Sequence, residues 1–205
     1  MNARSSDPIR LYLLAYNTIC ALLWARILFS TITLSLISSD IASVYALEPL
    51  VRFAQTFAVL DKIHDLLDIV GTPFFTTLPH IFSRPVQVWA VNYAFPNVTK
   101  SSVAYPAMLL AWATADTIRY SYRAMLLSDW PVPRALKWAR FSSFIVLYPA
   151  GISCEFWLMY KVATTVVHGP VANMFYFGFL GLYPQGSVTM YRYGLTQRRR
   201  QLALE

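Results

Sequence analysis

Charged residues are scarce in this chain, since Asp, Glu, Lys and Arg together make up only 13% of its 205 residues. A soluble domain of this size usually carries about 25%. Glycine is scarce as well, and its 7 residues exclude collagen-like and glycine-rich repeats. The 2 cysteines provide no disulfide framework, and with 3 histidines there is no Cys/His cluster at metal-ligand spacing. The sequence therefore predicts no metal site.

Apolar and aromatic residues dominate instead. The chain is 57% hydrophobic, holds 13 Phe, 13 Tyr and 6 Trp, and has a mean hydropathy of +0.45. This composition is typical of an integral membrane protein with aromatic residues at its interfaces. In a soluble protein, a net charge of +7 would suggest nucleic acid as a partner. Here most basic residues stand at the chain ends or between apolar segments, so the lipid bilayer is the expected partner and nucleic acid is not.

Six segments have the length of membrane-spanning helices. We predict spans at about 11–37, 50–70, 74–96, 103–127, 141–163 and from 167 to 183 or beyond. The second and third contain many polar groups, so hydropathy alone supports them least. The expected fold is an all-α integral membrane protein, a bundle of six transmembrane helices. All 205 residues form one membrane-embedded domain, with short tails at about 1–10 and 192–205.

The distribution of basic residues orients this bundle. Loops 38–49 and 164–172 contain no Lys or Arg, whereas bases gather at the N-terminus, at 128–140 and after residue 191. The positive-inside rule then places both termini in the cytosol. The glycosylation sequon that begins at Asn97 faces the opposite, lumenal side.

Several ionisable residues fall at membrane depth in this arrangement, and each is costly unless it faces the interior and finds a partner. They are Asp61, His64, Arg84, Asp116, Arg119 and Glu155. Asp116 and Arg119 stand at i,i+3 on one helix and are predicted to pair. Arg84 has no acid near it in the sequence, so it either pairs across helices or meets an anionic ligand. Arg140, at the cytosolic mouth of the fifth span, is either a positive-inside anchor or a phosphate contact.

The stretch from Trp138 to Glu155, WARFSSFIVLYPAGISCE, contains an acid seven residues after a tyrosine. Seven helical residues turn about 700°, so Tyr148 and Glu155 share a face about 10 Å apart along the axis, and closer if Pro149 and Gly151 bend the helix. A carboxylate and a phenol are suitable groups for acid–base chemistry. The spacing leaves several uses open: elimination of water, hydrolysis, isomerisation or a structural hydrogen bond.

Five motifs, in order, resemble the membrane 3-hydroxyacyl-CoA dehydratases, also called the protein-tyrosine-phosphatase-like family. They are YLLAYN (12–17), QTFAVLDKIHDLLDIVGTP (55–73), TTLPHIFSR (76–84), WATADTIRYSY (112–122) and WARFSSFIVLYPAGISCE (138–155). The chain departs from the family pattern at Asp61 and Asp116, where Glu is typical, and at Arg123, where Tyr is frequent. A phosphatase activity is not expected, because the Cys20-x5-Arg26 segment has no glycine between its ends to wrap a phosphate.

The resemblance implies removal of water from a long-chain 3-hydroxyacyl-CoA to give the trans-2-enoyl-CoA, the third step of very-long-chain fatty acid elongation in the endoplasmic reticulum membrane. It implies Tyr148 and Glu155 as the catalytic pair, with Glu155 as base or polarising group and Tyr148 as proton donor, or the reverse. Substrate binding is expected at Arg84, Arg119, Tyr120, Arg140 and Gly151. No cofactor is expected, and other elongation-cycle enzymes are further expected partners. The alternative is a catalytically weak or inactive paralogue that acts as a membrane scaffold for those enzymes.

Overall fold

The computed structural model describes residues 7–38, 40–66, 83–165 and 169–202, and every regular element within these ranges is a helix. The α-helices are α1 (Asp7–Ile37), α2 (Glu48–Phe57), α3 (Val59–Leu66), α4 (Pro96–Lys100), α5 (Ala104–Leu127), α6 (Arg134–Ser142), α7 (Phe144–Thr165) and α8 (Pro170–Leu202). A 3-10 helix occupies Ile41–Leu47, and a π-helix occupies Gln87–Tyr93. The predicted all-α class is confirmed for these residues.

One of these helices is by itself long and apolar enough to cross a membrane, the segment Pro8–Ile37 of α1. The pair α6 and α7 passes the same test as one span bent by 42°, so the described ranges contain one such helix, or two with the bent pair. The predicted span at 103–127 coincides with α5, which is less apolar because its second half carries charged side chains. Helix α8 runs beyond the predicted span to Leu202, so most of the predicted C-terminal tail is helical.

The predicted span at 50–70 is only partly described. Its first part forms two helices, α2 and α3, which are separated at Ala58. Residues 67–82, which include the start of the predicted span at 74–96, lie outside the described ranges.

Helix α5 lies at the centre of the bundle, where it packs against α1 on one side and α7 on the other. Trp24 and Ile27 of α1 and Met108 and Leu109 of α5 are fully buried. Near the N-terminus of α1, the Arg10 Nε donates to the backbone oxygen of Leu127 at 2.8 Å. This bond joins the start of α1 to the end of α5, so the two helices run antiparallel.

The bend in the chain before the proposed catalytic pair lies at Ser143, not at Pro149. Helix α7 continues through Pro149 and Gly151 to Thr165, and the change of direction is the 42° break between α6 and α7. Proline removes one backbone hydrogen bond, and here the lost partner is the carbonyl of Ile145 in the first turn after the break, where the backbone adjusts most easily. Tyr148 and Glu155 therefore lie on one continuous helix.

Helix α8 approaches α7 closely at a glycine. A Cβ atom at Gly194 would lie 2.7 Å from Cε2 of Phe144, closer than nonbonded carbon atoms approach. By contrast, a Cβ atom at Gly178, on the same helix, would meet nothing within 4 Å. The glycine at 194 therefore permits the contact between the two helices.

We expect Gly194→Ala to lower the thermal midpoint of unfolding in detergent, followed by tryptophan fluorescence. The new methyl group overpacks against the Phe144 ring at a cost of about 1–3 kcal/mol, which outweighs the roughly 1 kcal/mol that alanine gains over glycine inside a helix. The matched control Gly178→Ala keeps the helix gain without the clash, so its midpoint should rise or stay unchanged. Equal midpoints for the two variants would contradict the assigned contact.

Candidate active site

A buried hydrogen bond between α5 and α7 holds the Glu155 carboxylate. The Trp112 Nε1 donates to the Oε1 of Glu155 at 2.7 Å, and both residues are at most 5% exposed. Gly151 lies one turn before Glu155, and a Cβ atom there would be 3.6 Å from the indole of Trp112. Gly151, a predicted substrate-binding position, thus lies at the helix contact beneath the ring that binds Glu155.

Trp112 has a role that the sequence did not predict, although it stands inside a recognised motif. The signal available in the sequence was general: a buried tryptophan usually finds a partner for its indole N–H. Which partner it finds depends on the packing of two helices that are 43 residues apart in the chain.

Tyr148 lies on the same helix as Glu155 and is partly buried. Among the charges that act most strongly on its hydroxyl group are Glu155 and Arg84. The charges of Glu155 and Arg84 thus both act on the Tyr148 hydroxyl group. Tyr148 and Glu155 are seven residues apart, which is about 10 Å along the axis of α7. A substrate that contacts both side chains would therefore lie along this part of the helix.

Arg84 pairs across helices, which was one of the two alternatives for it. Its guanidinium forms an ion pair with the Asp116 carboxylate of α5 and also lies over the Trp112 ring, 4.8 Å from the centroid. A cation favours the negative face of an aromatic ring, and a carboxylate favours its N–H edge. Arg84 therefore contacts the ring face of Trp112 and Glu155 contacts its N–H edge, and both contacts fix the orientation of the indole.

A second group of charges continues from Asp116 toward the C-terminal end of α5. The predicted pair is confirmed, since the Arg119 Nη2 lies 3.0 Å from Oδ1 of Asp116. The same guanidinium reaches Asp61 of α3 at 3.2 Å, and Arg123 lies 2.9 Å from the other oxygen of Asp61. Tyr120 is fully buried and donates to Asp61 at 3.3 Å. Arg119 and Tyr120, both predicted to bind substrate, thus belong to this ion network.

The polar residues of the first motif also find partners inside the protein, as expected for groups at membrane depth. The hydroxyl of Tyr12 lies 2.9 Å from Nε2 of His64, which is 5% exposed. Asn17 donates from its side chain to the backbone oxygen of Leu13 at 2.7 Å. This end of α1 is therefore held against α3.

Comparison with known proteins identifies the family. Residues 55–204 match the family described as "Protein tyrosine phosphatase-like protein, PTPLA". The chain belongs to the PTPLA family. It is 36% identical over 217 aligned positions to a protein of Oryza sativa subsp. japonica, the "Very-long-chain (3R)-3-hydroxyacyl-CoA dehydratase PASTICCINO 2B", covering 99% of this chain and 98% of that protein.

Two further PTPLA relatives carry similar names. A protein of Arabidopsis thaliana, the "Very-long-chain (3R)-3-hydroxyacyl-CoA dehydratase PASTICCINO 2", is 35% identical, with 95% of this chain and 94% of that protein covered. A "Probable very-long-chain (3R)-3-hydroxyacyl-CoA dehydratase" of Schizosaccharomyces pombe is 34% identical, with 92% and 91% covered. No solved structure matches the chain.

Three of the positions at which this chain departs from the expected family pattern, Asp61, Asp116 and Arg123, meet in the ion network. Asp61 and Asp116 are each one methylene shorter than Glu, which draws the carboxylate back toward its own helix. Arg123, in place of a tyrosine, lies 2.9 Å from Asp61 and supplies a second guanidinium to it. The Asp61 carboxylate is therefore bound by two guanidiniums, those of Arg119 and Arg123.

We expect Asp61→Asn to destabilise the protein strongly, because it leaves Arg123 without its carboxylate and weakens the pairing of Arg119. Removing one partner of a buried ion pair typically costs about 3–5 kcal/mol. The change should appear as a lower thermal midpoint of unfolding in detergent.

The matched control is Asp129→Asn, the same chemical change at the exposed Arg10–Asp129 pair, where the aspartate side chain is 76% exposed. An exposed pair contributes at most about 1 kcal/mol, so this variant should unfold close to the wild type. A similar loss in both variants would show that Asp61 has no special role in the network.

Proposed function

We propose that this chain is a 3-hydroxyacyl-CoA dehydratase, a hydro-lyase that converts long-chain 3-hydroxyacyl-CoA to trans-2-enoyl-CoA in the third step of very-long-chain fatty acid elongation. The observation that carries the proposal is the buried Glu155 carboxylate. It accepts a hydrogen bond from Trp112 of α5, and Glu155 lies on the same continuous helix as Tyr148. Three relatives that align over nearly the whole chain have names that state this activity. A non-enzymatic scaffold is not favoured, since both catalytic residue types are present.

Within the substrate carbon skeleton, the elimination breaks the C2–H and C3–O bonds and forms the C2=C3 π bond. A base takes the proton from C2, next to the thioester carbonyl, and the electron pair of that C–H bond forms the C2=C3 double bond. The hydroxyl group on C3 leaves with its bonding pair and takes a proton, so that water is released. We assign the base to Glu155 and the proton donor to Tyr148, since a carboxylate accepts and a phenol donates. The reverse assignment uses the same two residues.

Trp112 and Arg84 would support these roles without transferring a proton. Because Trp112 binds one oxygen of Glu155, it limits the directions in which the carboxylate can turn toward C2. The Arg84 guanidinium acts on the Tyr148 hydroxyl and stands beside the Trp112 ring. A fixed cation there would stabilise negative charge that develops on the thioester oxygen as the C2 proton departs.

The membrane arrangement that we propose has six spans and both termini in the cytosol, in the endoplasmic reticulum. The apolar helix Pro8–Ile37, the low share of charged residues and the charge map support it. Coenzyme A is water-soluble, so the thioester would enter from the cytosolic end, where α7 begins. Other enzymes of the elongation cycle would be its partners.

We expect Tyr148→Phe and Glu155→Gln each to reduce the dehydration rate at least about 100-fold, the usual contribution of general acid–base catalysis. Both changes preserve shape and remove only the proton-transferring function. The measurement is formation of enoyl-CoA from a long-chain 3-hydroxyacyl-CoA by the purified protein in detergent.

Tyr160→Phe is the matched control for the tyrosine, because Tyr160 lies on the same helix and is 43% exposed, and its rate should equal that of the wild type. If Tyr148→Phe and Glu155→Gln both retained full activity and still complemented a dehydratase-deficient cell, this result would contradict the catalytic assignment and support the scaffold hypothesis.

Trp112→Phe tests the support of Glu155 separately. Phenylalanine keeps an aromatic ring beside Arg84 and Gly151 but cannot donate to the carboxylate, so we expect kcat to fall about tenfold with little change in KM, the usual effect of one lost hydrogen bond to a charged group. The control is Trp157→Phe, since Trp157 lies on the same helix as Glu155 and is 48% exposed, and it should leave both constants unchanged. An unchanged kcat in Trp112→Phe would rule out a positioning role.

A further inference from the structure

Arg140 is a partly buried cation near which other cations dominate. It lies in the last turn of α6, where the ring of the next residue, Phe141, packs edge-on against Tyr122 of α5 with centroids 5.7 Å apart. This contact brings Arg140 to the part of α5 that carries Arg119 and Arg123, and these two cations act on it more strongly than any other charge. Asp116 acts on it more weakly and is already paired with Arg84 and Arg119. Among the ion pairs of the described ranges, none includes Arg140, and its guanidinium lies 5.7 Å from the centroid of the Phe141 ring.

The charges around this position do not balance. The described network contains two carboxylates, Asp61 and Asp116, and three guanidiniums paired with them. The unpaired guanidinium of Arg140 is added to these, so the cluster has two positive charges in excess. Partial burial of an unpaired charge is costly, so an anion of about two charges would stabilise this group of described residues.

The position of Arg140 indicates which anion this is. It stands eight residues before Tyr148, about 12 Å along a helix axis, and the 42° break between α6 and α7 lies between them. A thioester that reacts at Tyr148 and Glu155 has its coenzyme arm directed out of the bundle at this end of α7. The diphosphate of coenzyme A carries two negative charges at the far end of a flexible arm that spans this distance.

A row of basic residues leads away from Arg140 along α6. Lys137 and Arg134 precede it at intervals of three residues, close to one helical turn each, so they lie near the same face. Arg134 is exposed, whereas Lys137 and Arg140 are partly buried. The row thus begins in solvent and ends at the cluster of arginines, and its outer members would meet the 3′-phosphate of the same coenzyme.

We propose that Arg140, with Arg119 and Arg123 beside it, binds the diphosphate of the coenzyme A moiety, and that Lys137 and Arg134 extend this site along α6. The inference rests on the proposed dehydratase function for the identity of the ligand. It deepens that function by assigning the recognition of the coenzyme to a cluster separate from the catalytic pair. A guanidinium suits this role because its planar donors contact two phosphate oxygens together.

The test compares two substrates with the same acyl group. One is a long-chain 3-hydroxyacyl-CoA, and the other is the corresponding 3-hydroxyacyl-pantetheine, which has the thioester and the arm but no phosphate. We expect Arg140→Gln to lower kcat/KM for the coenzyme A thioester about tenfold or more, mainly through KM, and to leave kcat/KM for the pantetheine thioester within about twofold of wild type. Arg140→Lys should restore part of the loss, because it keeps the charge without the paired donors.

Arg200→Gln is the matched control, since it removes one positive charge from an exposed position near the end of α8. Its constants for both substrates should equal those of the wild type. An equal loss for both substrates in Arg140→Gln, or an equal effect of Arg140→Gln and Arg200→Gln on the coenzyme A thioester, would overturn the proposal. The first result would indicate that Arg140 positions other residues of the site. The second would indicate that the overall positive charge of the protein, and not a specific site, attracts the coenzyme.

A binding measurement separates this proposal from the proposed function. Free coenzyme A should bind the full-length wild-type protein in detergent, pantetheine should bind much more weakly, and Arg140→Gln should lose about tenfold in affinity for coenzyme A. If the wild type turned over neither thioester, the dehydratase function would fail, while this binding difference would still support the anion site. Equal affinity of wild type and Arg140→Gln for coenzyme A would disprove the site.

Discussion

The cost of burying charge organises this molecule. A carboxylate or guanidinium inside an apolar bundle is tolerated only when another group satisfies it, and each such requirement fixes the relative position of two helices. The bond from Trp112 to Glu155 fixes α5 against α7, and the bonds of Asp61 to Arg119 and Arg123 fix α3 against α5. Because α5 supplies partners on both sides, it is the helix on which the other two depend.

The same interactions divide the polar interior into two parts with different tasks. Near the middle of α7, Glu155 is buried against Trp112 and Gly151, and such an environment would suit proton transfer. In the second half of α5, the described guanidiniums outnumber the carboxylates paired with them, and such a group would suit recognition of a phosphate-bearing ligand. Arg84 lies between the two parts, since it contacts both Trp112 and Asp116.

Local features of the site were predictable from the sequence. Helical periodicity placed Tyr148 and Glu155 on one face, and the i,i+3 spacing predicted the pair Asp116–Arg119. The contacts between helices were not predictable in the same way. The pairing of Trp112 with Glu155, and that of Asp61 with Arg123, join residues 43 and 62 positions apart, and only the packing of whole helices decides such partners. The sequence leaves open a bend at Pro149 and Gly151, because proline usually disrupts a helix, but the chain breaks at Ser143, and Pro149 follows in the second turn of α7.

The break at Ser143 also bears on how a lipid-like substrate reaches the site. It turns α6 away from the direction of α7, and Trp138 on α6 is 59% exposed, as is common for tryptophan at a membrane–water boundary. An acyl-CoA is itself an amphiphile whose head lies at that boundary while its tail stays in the hydrocarbon. In the proposed membrane arrangement the first turns of α7 lie at this level, so the substrate would diffuse sideways within the leaflet to present its thioester, and its tail would never pass through water.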